Sequence, residues 1–571
     1  MAEGQLRAQL EHAAAQLGAE AAAVELMRPR NPEHGDVATN LAMILARPLG
    51  QPPRDIAGRI LELLDLAAAG VASADIAGPG FINFRFRSQL FRDRLAGIVS
   101  AGEAYGASEN ASPDNRIMVE WVSANPTGPL HLGHGRQAAL GDAISRLLAR
   151  TGWDVHREFY YNDSGKQMDL LARSVWARYQ QAAGRDAAVP EGGYHGEYVQ
   201  DIAGQFRARQ GDRFVDDDSA DALEAMRRFA VEALRAEQDH DLAEFRVRFD
   251  EYYLESSLYD TGRVDGTIQA LRDTGLVYDK DGALWLETTR FGDQKDRVMV
   301  RRNGMPTYFL PDVAYHMTKW ERGFHHVINV QGSDHHGTVP RVRAGLQALG
   351  LPEGYPEYVL HQMVRLERAG KEVKFSKRAG AYTTLRELFE MVGVDVARYF
   401  FLMRRADAQM VFDLDLALDR SEKNPVFKVQ YAHARMCSIF RKAGLAPERG
   451  MPGAEVDAVA GAADLDRLTD DAEQELIKQL ALFPETVQRA AEARAPHVLC
   501  EYLETTAGQV NSWYHAGNPS RNPELAVLVE DEALRNARVA LARGVQVVLR
   551  NGLDLLGLGA PERMQREEET E

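Results

Sequence analysis

Ile117-Met118-Val119-Glu120-Trp121-Val122-Ser123-Ala124-Asn125-Pro126-Thr127-Gly128-Pro129-Leu130-His131-Leu132-Gly133-His134 passes from an apolar run, through a turn rich in Gly and Pro, into an amphipathic segment. The run 117–122 suits a buried parallel strand. Leu140, Ile144, Leu147 and Leu148 then recur at helical spacing, and Gly152 supplies a stop. A strand, a turn and a helix in that order place free backbone N–H groups and the positive end of the helix dipole where an anion binds. Gly133 permits close backbone approach between His131 and His134, so both imidazoles are candidates to hydrogen-bond a triphosphate and to stabilise charge as pyrophosphate leaves. Chemistry on ATP is the prediction. Two histidines beside a turn are often merely solvated, so the motif needs a second element.

That element lies far downstream, at Lys374-Phe375-Ser376-Lys377-Arg378, inside the basic and polar stretch 368–378. A basic run by itself reads as a solvated loop. The pair, in this order and at this separation, resembles the HIGH and KMSKS signatures of class I aminoacyl-tRNA synthetases. The resemblance implies that Lys374 and Lys377 clamp phosphates, with Ser376 beside them. Phe375 replaces the usual Met and Arg378 the final Ser, but both lysines stand. The context from Glu120 to Leu130, running into His131 and on to Arg136, is similar to the arginyl-tRNA synthetase form of the signature, bacterial type. The likeness extends over nearly the whole chain. It includes His34-Gly35-Asp36-Val37-Ala38-Thr39-Asn40 and Gly78-Pro79-Gly80-Phe81-Ile82-Asn83-Phe84 in the extra N-terminal domain of that family. Asn424-Pro425-Val426-Phe427, Gln430-Tyr431-Ala432-His433-Ala434-Arg435 and the DALR-like Glu532-Ala533-Leu534-Arg535 carry it into the C-terminal part.

The resemblance implies an α/β fold: a split Rossmann-like parallel-sheet catalytic domain, an α+β N-terminal domain and an all-α C-terminal bundle. Residues 1–112 show helical periodicity at 5–17 and 55–66 and an apolar strand at 81–86, and a polar linker is expected at 108–115. The catalytic domain is expected at 113–416, with an insertion at about 162–277 and the parallel sheet resuming near Leu284. A helical anticodon-binding domain at 417–564 and an acidic tail at 565–571 complete the expected order. The reaction implied is ATP-dependent ligation of L-arginine to tRNA(Arg) through an arginyl-adenylate, the activity of an arginine–tRNA ligase. Magnesium travels with ATP as part of the substrate, and no protein-bound metal is expected.

An arginine site must pair a planar, permanently charged guanidinium with carboxylates in fork geometry. Tyr308 is expected to end an apolar strand, with Pro311 opening the next helix and Asp312 in its first turn, matching the family's Tyr-xxx-Asp arrangement. An acid in a first helical turn otherwise serves the dipole. Asn125 and Glu120 resemble family positions that hold the amino and carboxylate groups of the substrate, and Ser123 and His134 are grouped with them. Gln331-Gly332-Ser333-Asp334-His335-His336-Gly337 follows an apolar strand and precedes a helix, where parallel sheets place ligand loops. Gln331 is assigned to arginine, and Asp334 with one histidine to ribose or arginine, a capped helix entrance being the alternative. Adjacent histidines without a third ligand at a recognisable spacing argue against zinc. His361, Gln362 and Val364 stand on the last strand before the lysine segment, where the three are candidates to hold adenine, Gln362 is assigned to ATP, and backbone contacts are equally open. In the helical region Tyr431, Trp513 and Tyr514 are candidate stacking surfaces for unstacked tRNA bases, although aromatics in a bundle are more often core.

Composition agrees with this reading without being able to produce it. The 571 residues allow about four domains of ordinary size. The net charge of -17 does not announce a nucleic-acid binder, but acid concentrates at 212–221 and 567–571, leaving basic patches at 28–30, 85–92 and 297–302. Cys437 and Cys500 lack metal-ligand spacing and read as buried and inert. The chain shows no signal-peptide pattern and no run approaching the ~18 apolar residues that span a bilayer, so a cytoplasmic enzyme with no membrane partner is expected, as a monomer. The rival readings are an adenylyltransferase or other class I synthetase, and a non-catalytic tRNA-binding relative. Asp312 with Tyr308 argues against the first, and intact histidines and lysines against the second.

Overall fold

The computed structural model describes residues 2–19, 23–29, 31–108, 115–163, 165–373, 382–446, 453–518 and 520–564. Lys374, Ser376, Lys377 and the acidic tail therefore lie outside the described residues, as does most of the linker expected at 108–115.

The chain divides into two compact units. The first comprises residues 1–101, 453–481 and 516–544. Its three-stranded antiparallel sheet has Phe81–Phe86 at the centre, flanked by Val37–Thr39 and Val71–Ala77. Ile82, Phe84 and Phe86 alternate inward, as the period of two requires. Gly35, at φ 96°, lies so close to the Phe84 carbonyl that an added Cβ would stand 2.7 Å from its oxygen. Asp36 accepts from the Phe86 N–H at 2.7 Å and pairs with Lys478 at 2.7 Å. Helices Leu41–Leu49, Pro53–Leu63 and Ser88–Ala101 cover the sheet and the adjoining core, the last packing on Asp471–Ala481.

The second unit carries a five-stranded, wholly parallel sheet. Its strands are β1 (Arg116–Glu120), β2 (Asp154–Tyr161), β3 (Glu251–Leu254), β4 (His326–Gly332) and β5 (Glu357–His361). They lie in the order β5-β4-β1-β2-β3. The chain turns outward in both directions from the β1/β4 boundary, and open sheets of this kind bind ligands at the carboxyl ends beside that switch point. β1 is buried along almost its whole length, because α1 (Leu132–Arg150) covers it. Gly141 of α1 is the reason the helix can sit so close, since a Cβ there would lie 2.2 Å from Cγ of the fully buried Trp121.

Two expectations about the sheet are corrected. The segment around Leu284 does not resume it: Val277–Lys280, Ala283–Leu286 and Arg297–Val300 form a separate antiparallel sheet. Asp281 and Gly282, at φ 55° and 74°, make the left-handed two-residue turn that drives a hairpin instead of a crossover. The parallel sheet is instead extended by β3, which falls inside the stretch expected to be inserted. Three helices, Lys166–Ala182, Glu197–Gln210 and Ala220–Glu244, intervene between β2 and β3 around an apolar core of their own. After β5, Val364–Arg368 pairs with Lys371–Glu372 and, in parallel, with Met410–Asp413. The C-terminal part is helical as expected, with Pro425–Lys442, Phe483–Glu492 and Pro496–Ala516 in this unit.

Candidate active site

His131 is the N-cap of α1. Its Nδ1 accepts from the backbone N–H groups of Gly133 at 3.0 Å and His134 at 3.3 Å, while Nδ1 of His134 accepts from the His131 N–H at 3.3 Å. The rings stack 3.6 Å apart, 15° from parallel. A Cβ at position 133 would approach the His131 ring to 2.9 Å, so glycine is required there. Two N–H groups expected to be free for an anion are thus taken by His131. The reason is that an unprotonated imidazole nitrogen is an acceptor and can take the helix's first free N–H groups, as a capping oxygen does. Because both Nδ1 atoms accept, each neutral ring carries its proton on Nε2 and presents a fixed Nε2–H donor. Burial lowers the pKa of His131, and burial together with His131 and His361 lowers that of His134 well below the usual range. Both are neutral donors near pH 7.

The backbone leading into this turn is strained. Val122 and Ser123 have φ 67° and 43°, left-handed values that a β-branched residue rarely adopts. The kink redirects the chain off β1. The Ser123 hydroxyl donates to Glu120 at 2.8 Å, and the Asn125 side chain donates to Gln167 at 2.6 Å. Helices of the inserted region hold the next stretch: Gln238 donates to the carbonyls of Asn125 and Gly128 at 3.1 and 2.9 Å, and Tyr198 to Thr127 at 2.8 Å.

Asp312 lies in the first turn of α2 (Phe309–Glu321), half-buried. Burial first, then Glu255 and Glu120, push its carboxyl up to about 7, with Lys319 pulling the other way. Glu120 is buried with its Oε2 2.5 Å from the fully buried Lys319 Nζ, which also donates to Asn329 at 3.2 Å. Glu255 follows β3, and the Tyr160 hydroxyl donates to it at 2.9 Å. Three carboxylates from three separate segments therefore face one region at the carboxyl end of β1, with one buried ammonium against them. Such a cluster is costly until a further cation enters, and a guanidinium is the side-chain cation shaped to span two carboxylates. Tyr308 is not brought in: it caps α2, is 83 % exposed and lies against Arg301. It follows a tight turn and an isolated bridge at Pro306, so the strand expected before it does not form.

Sequence reasoning missed Glu255, Tyr160 and Lys319. The aromatic run Glu251-Tyr252-Tyr253-Leu254 carried a strand signal. Lys319, seven residues after Asp312 and so on the same face of an otherwise apolar helix, signalled a buried partner.

Gln331, half-buried near the end of β4, pairs through its backbone with Leu360. Asp334 and His335 stand exposed on the following turn. Gln362 is held at both ends: its N–H donates to Ala406 at 3.0 Å and its carbonyl accepts from Arg136 at 2.7 Å. The segments flanking the lysines are anchored, one of them on the signature turn itself. The Val373 N–H donates to Leu366 at 2.9 Å. On the other side the Tyr382 hydroxyl donates to Pro129 at 3.1 Å, Thr384 bridges His131, and the Leu385 N–H donates to Leu130 at 2.8 Å.

Among the described residues, His156, Glu158 and Glu251 cluster closely enough to hold a metal ion, but the Arg322 guanidinium lies 2.6 and 2.5 Å from the two carboxylates. The trio works as an ion-pair ladder across β2 and β3. In the helical region Trp513 is only 4 % exposed, which corrects its assignment as a stacking surface, because a base would have to displace core packing to reach it. Tyr431 and Tyr514 are half-buried and sandwich the Arg435 guanidinium at 4.8 and 4.4 Å.

Comparison with known proteins agrees along the whole chain. Residues 4–86 match the model of the arginyl tRNA synthetase N terminal domain, 95–405 that of the class I (R) tRNA synthetase catalytic domain, and 429–564 that of the DALR anticodon binding domain. The arginine–tRNA ligase of Thiobacillus denitrificans is 52% identical over 548 residues, covering 95% of each chain. That of Bordetella avium is 51% identical over 94% of this chain and 95% of the relative. The arginyl-tRNA synthetase of Thermus thermophilus superposes with a TM-score of 0.75 at 25% identity, covering 98% of this chain and 99% of that one. The neutral histidine pair on the switch-point helix, the carboxylate cluster beside it and these matches have one explanation: the chain belongs to the arginyl-tRNA synthetase family.

Proposed function

We propose that this chain is an arginine–tRNA ligase that charges tRNA(Arg) with L-arginine in two steps at the carboxyl end of its parallel sheet. The observation that carries the reading is the convergence of Asp312, Glu120 and Glu255 in one region at the carboxyl end of β1, the strand that leads into the signature turn. Arginine seats its guanidinium against Asp312 and Glu255, while the segment Glu120 to Asn125 orients its backbone groups and Gln331 closes the pocket from β4. The arginine carboxylate attacks the α-phosphate of ATP, the bond to the leaving pyrophosphate breaks, and arginyl-adenylate forms. The Nε2–H groups of His131 and His134 and the cations Lys374 and Lys377 stabilise the charge that develops, so catalysis is positioning and electrostatics with no covalent enzyme intermediate. In the second step the terminal ribose hydroxyl of tRNA attacks the adenylate carbonyl and AMP departs.

Magnesium enters with the nucleotide, as a divalent ion that keeps most of its ligands on phosphate and water. Tyr431 and Tyr514 offer the aromatic edges of the anticodon side. No helix among the described residues is long and apolar enough to cross a membrane. The enzyme acts in the cytoplasm as a monomer. The test is arginine-dependent ATP–pyrophosphate exchange with tRNA present, followed by aminoacylation. Support by arginine and not by citrulline, its uncharged isostere, upholds the reading, and equal support by both overturns it.

A further inference from the structure

Four polar residues stand in register across the parallel sheet. Asn329 of β4 pairs with Glu120 of β1, Glu120 with Glu158 of β2, and Glu158 with Glu251 of β3, so one row carries carboxylates on three adjacent strands. Like charges set directly opposite one another destabilise a sheet unless each is offset. Helix α2 offsets them along a single stripe formed by Tyr315, Lys319 and its C-cap Arg322. Tyr315 donates to Glu158 at 2.6 Å, and Arg322 spans Glu158 and Glu251 at 2.6 and 2.5 Å. Among the described residues, the one carboxylate that Lys319 pairs with is Glu120.

Exposure falls along this row toward β1. The Arg322 and Glu251 side chains are 26 and 41 % exposed, where an ion pair costs little, but Lys319 is 0 % and Glu120 5 % exposed. The buried ammonium is fully engaged. It donates to Glu120 at 2.5 Å and to Asn329 at 3.2 Å, and it lies 4.2 Å from the centre of the Tyr315 ring. Asn329 is turned to accept because its amide nitrogen meets Nε2 of His316 at 3.1 Å, and burial, with Lys319 adding to it, lowers the pKa of that histidine well below the usual range. A buried ion pair adds little net stability, and apolar residues of the same volume would pack as well or better. What the pair achieves is a fixed carboxylate. Lys319 occupies Oε2 of Glu120 and the Ser123 hydroxyl Oε1, so each oxygen retains an acceptor position. The charges also match the substrate. Once Asp312 is ionised, three carboxylates against one ammonium leave two negative charges, and arginine brings two cationic groups, its guanidinium and its α-ammonium.

We propose that Lys319 is a positioning residue for substrate recognition, holding the Glu120 carboxylate in the one orientation that accepts a hydrogen bond from the α-ammonium of arginine. Lys319 acts through Glu120 and does not touch the substrate. The proposal rests on the reading that arginine is activated at this cluster. An analogue separates the two ends of the substrate: 5-guanidinopentanoate is arginine without its α-amino group, so it keeps the guanidinium contacts and makes no use of Glu120.

The experiment measures pyrophosphate exchange by the full chain with tRNA present, and its inhibition by 5-guanidinopentanoate in competition with arginine. Lys319→Met keeps the length of the side chain and removes the charge that fixes and offsets Glu120. The expected result is an arginine KM about tenfold higher, with the ATP KM and the inhibition constant of 5-guanidinopentanoate both within about twofold of the parent. Asn329→Asp, nearly isosteric, sets a second carboxylate against Lys319 and draws it from Glu120. It should give the same pattern at about threefold, and it decides the question by the same criteria if Lys319→Met fails to fold. An arginine KM that is unchanged or lower, or a loss shared equally by 5-guanidinopentanoate, overturns the proposal and leaves the arginine-activating reading standing. Failure of the analogue to compete in the parent overturns the proposal together with the seating of the guanidinium. Absence of arginine-dependent exchange in the parent overturns the arginine-activating reading as well.

Discussion

Asp312→Asn should do two opposite things to this protein. With arginine bound, an amide cannot supply the charged half of a fork to guanidinium. Loss of that charge-assisted contact, about 3 kcal/mol, should raise the arginine KM by roughly a hundredfold. Without arginine the carboxyl is a burden. Its folded pKa of about 7 lies above the ordinary 3.8, because burial, Glu255 and Glu120 oppose its charge. The folded chain therefore binds this proton more tightly than the unfolded chain. Stability is lost as pH climbs from about 4 to about 7, and the loss is constant above that. A shift of about three pH units corresponds to at most ~4 kcal/mol, and partial solvent access to the side chain reduces that to about 2 kcal/mol. Asparagine escapes this penalty, so the unliganded variant should melt a few degrees higher (about 2–4 °C) than the parent at pH 8, and level with it near pH 4. In the parent, kcat/KM for arginine should rise about tenfold between roughly pH 6 and 8 as Asp312 ionises, and this limb should vanish in the variant. Pyrophosphate exchange across arginine concentration and pH, beside calorimetry of the unliganded proteins, reads all three quantities. An unchanged arginine KM, or a variant less stable than the parent at pH 8, refutes the placement of Asp312 in an acidic cluster awaiting a cation.

Lys377→Ala, in the signature segment that resembles KMSKS, should slow adenylate formation by roughly a hundredfold while arginine affinity stays put, and an effect confined to arginine binding would reject its role at the phosphates. Activation is expected to need tRNA, by resemblance to the arginyl family. Comparing exchange without RNA, with periodate-oxidised tRNA and with intact tRNA tests this, and brisk exchange without RNA contradicts it. Gly141→Ala would drive a Cβ to 2.2 Å from Trp121, so it should destabilise the catalytic unit by about 2–3 kcal/mol and depress exchange, whereas a variant as stable as the parent would mean α1 can lift off β1 freely.

Much of the site is legible in residue order because its chemistry is carried by short, local patterns. The apolar run before Trp121, the glycine between two histidines and the 3.6-residue spacing after them each act over a few residues. They predicted the strand, turn and helix that the structure contains, and the KFSKR segment was found in the same way. Local pattern failed where one short run fits two pairings. Ala283–Leu286 is as apolar as a parallel strand, but the Asp-Gly turn before it closes a hairpin, while the more polar Glu251–Leu254 joins the sheet because β2 exposes an edge to it. Trp513 shows the same limit on a helix, since an aromatic residue at helical spacing can face core or solvent and only packing selects the face.

From the sequence alone came the family, the order of its domains, the histidine pair and Asp312 as a candidate for the cation site. The tertiary structure decided that Glu255 and Glu120 join Asp312, that Lys319 offsets them, and that the histidines are neutral Nε2–H donors. The physical reason is sequence separation. Glu120, Glu255 and Asp312 are distant in the chain, and they meet because the parallel sheet brings the carboxyl ends of β1 and β3, with the start of α2, to one end of the sheet. A protonation state depends on which backbone groups each ring nitrogen meets, and that is settled only when those segments pack.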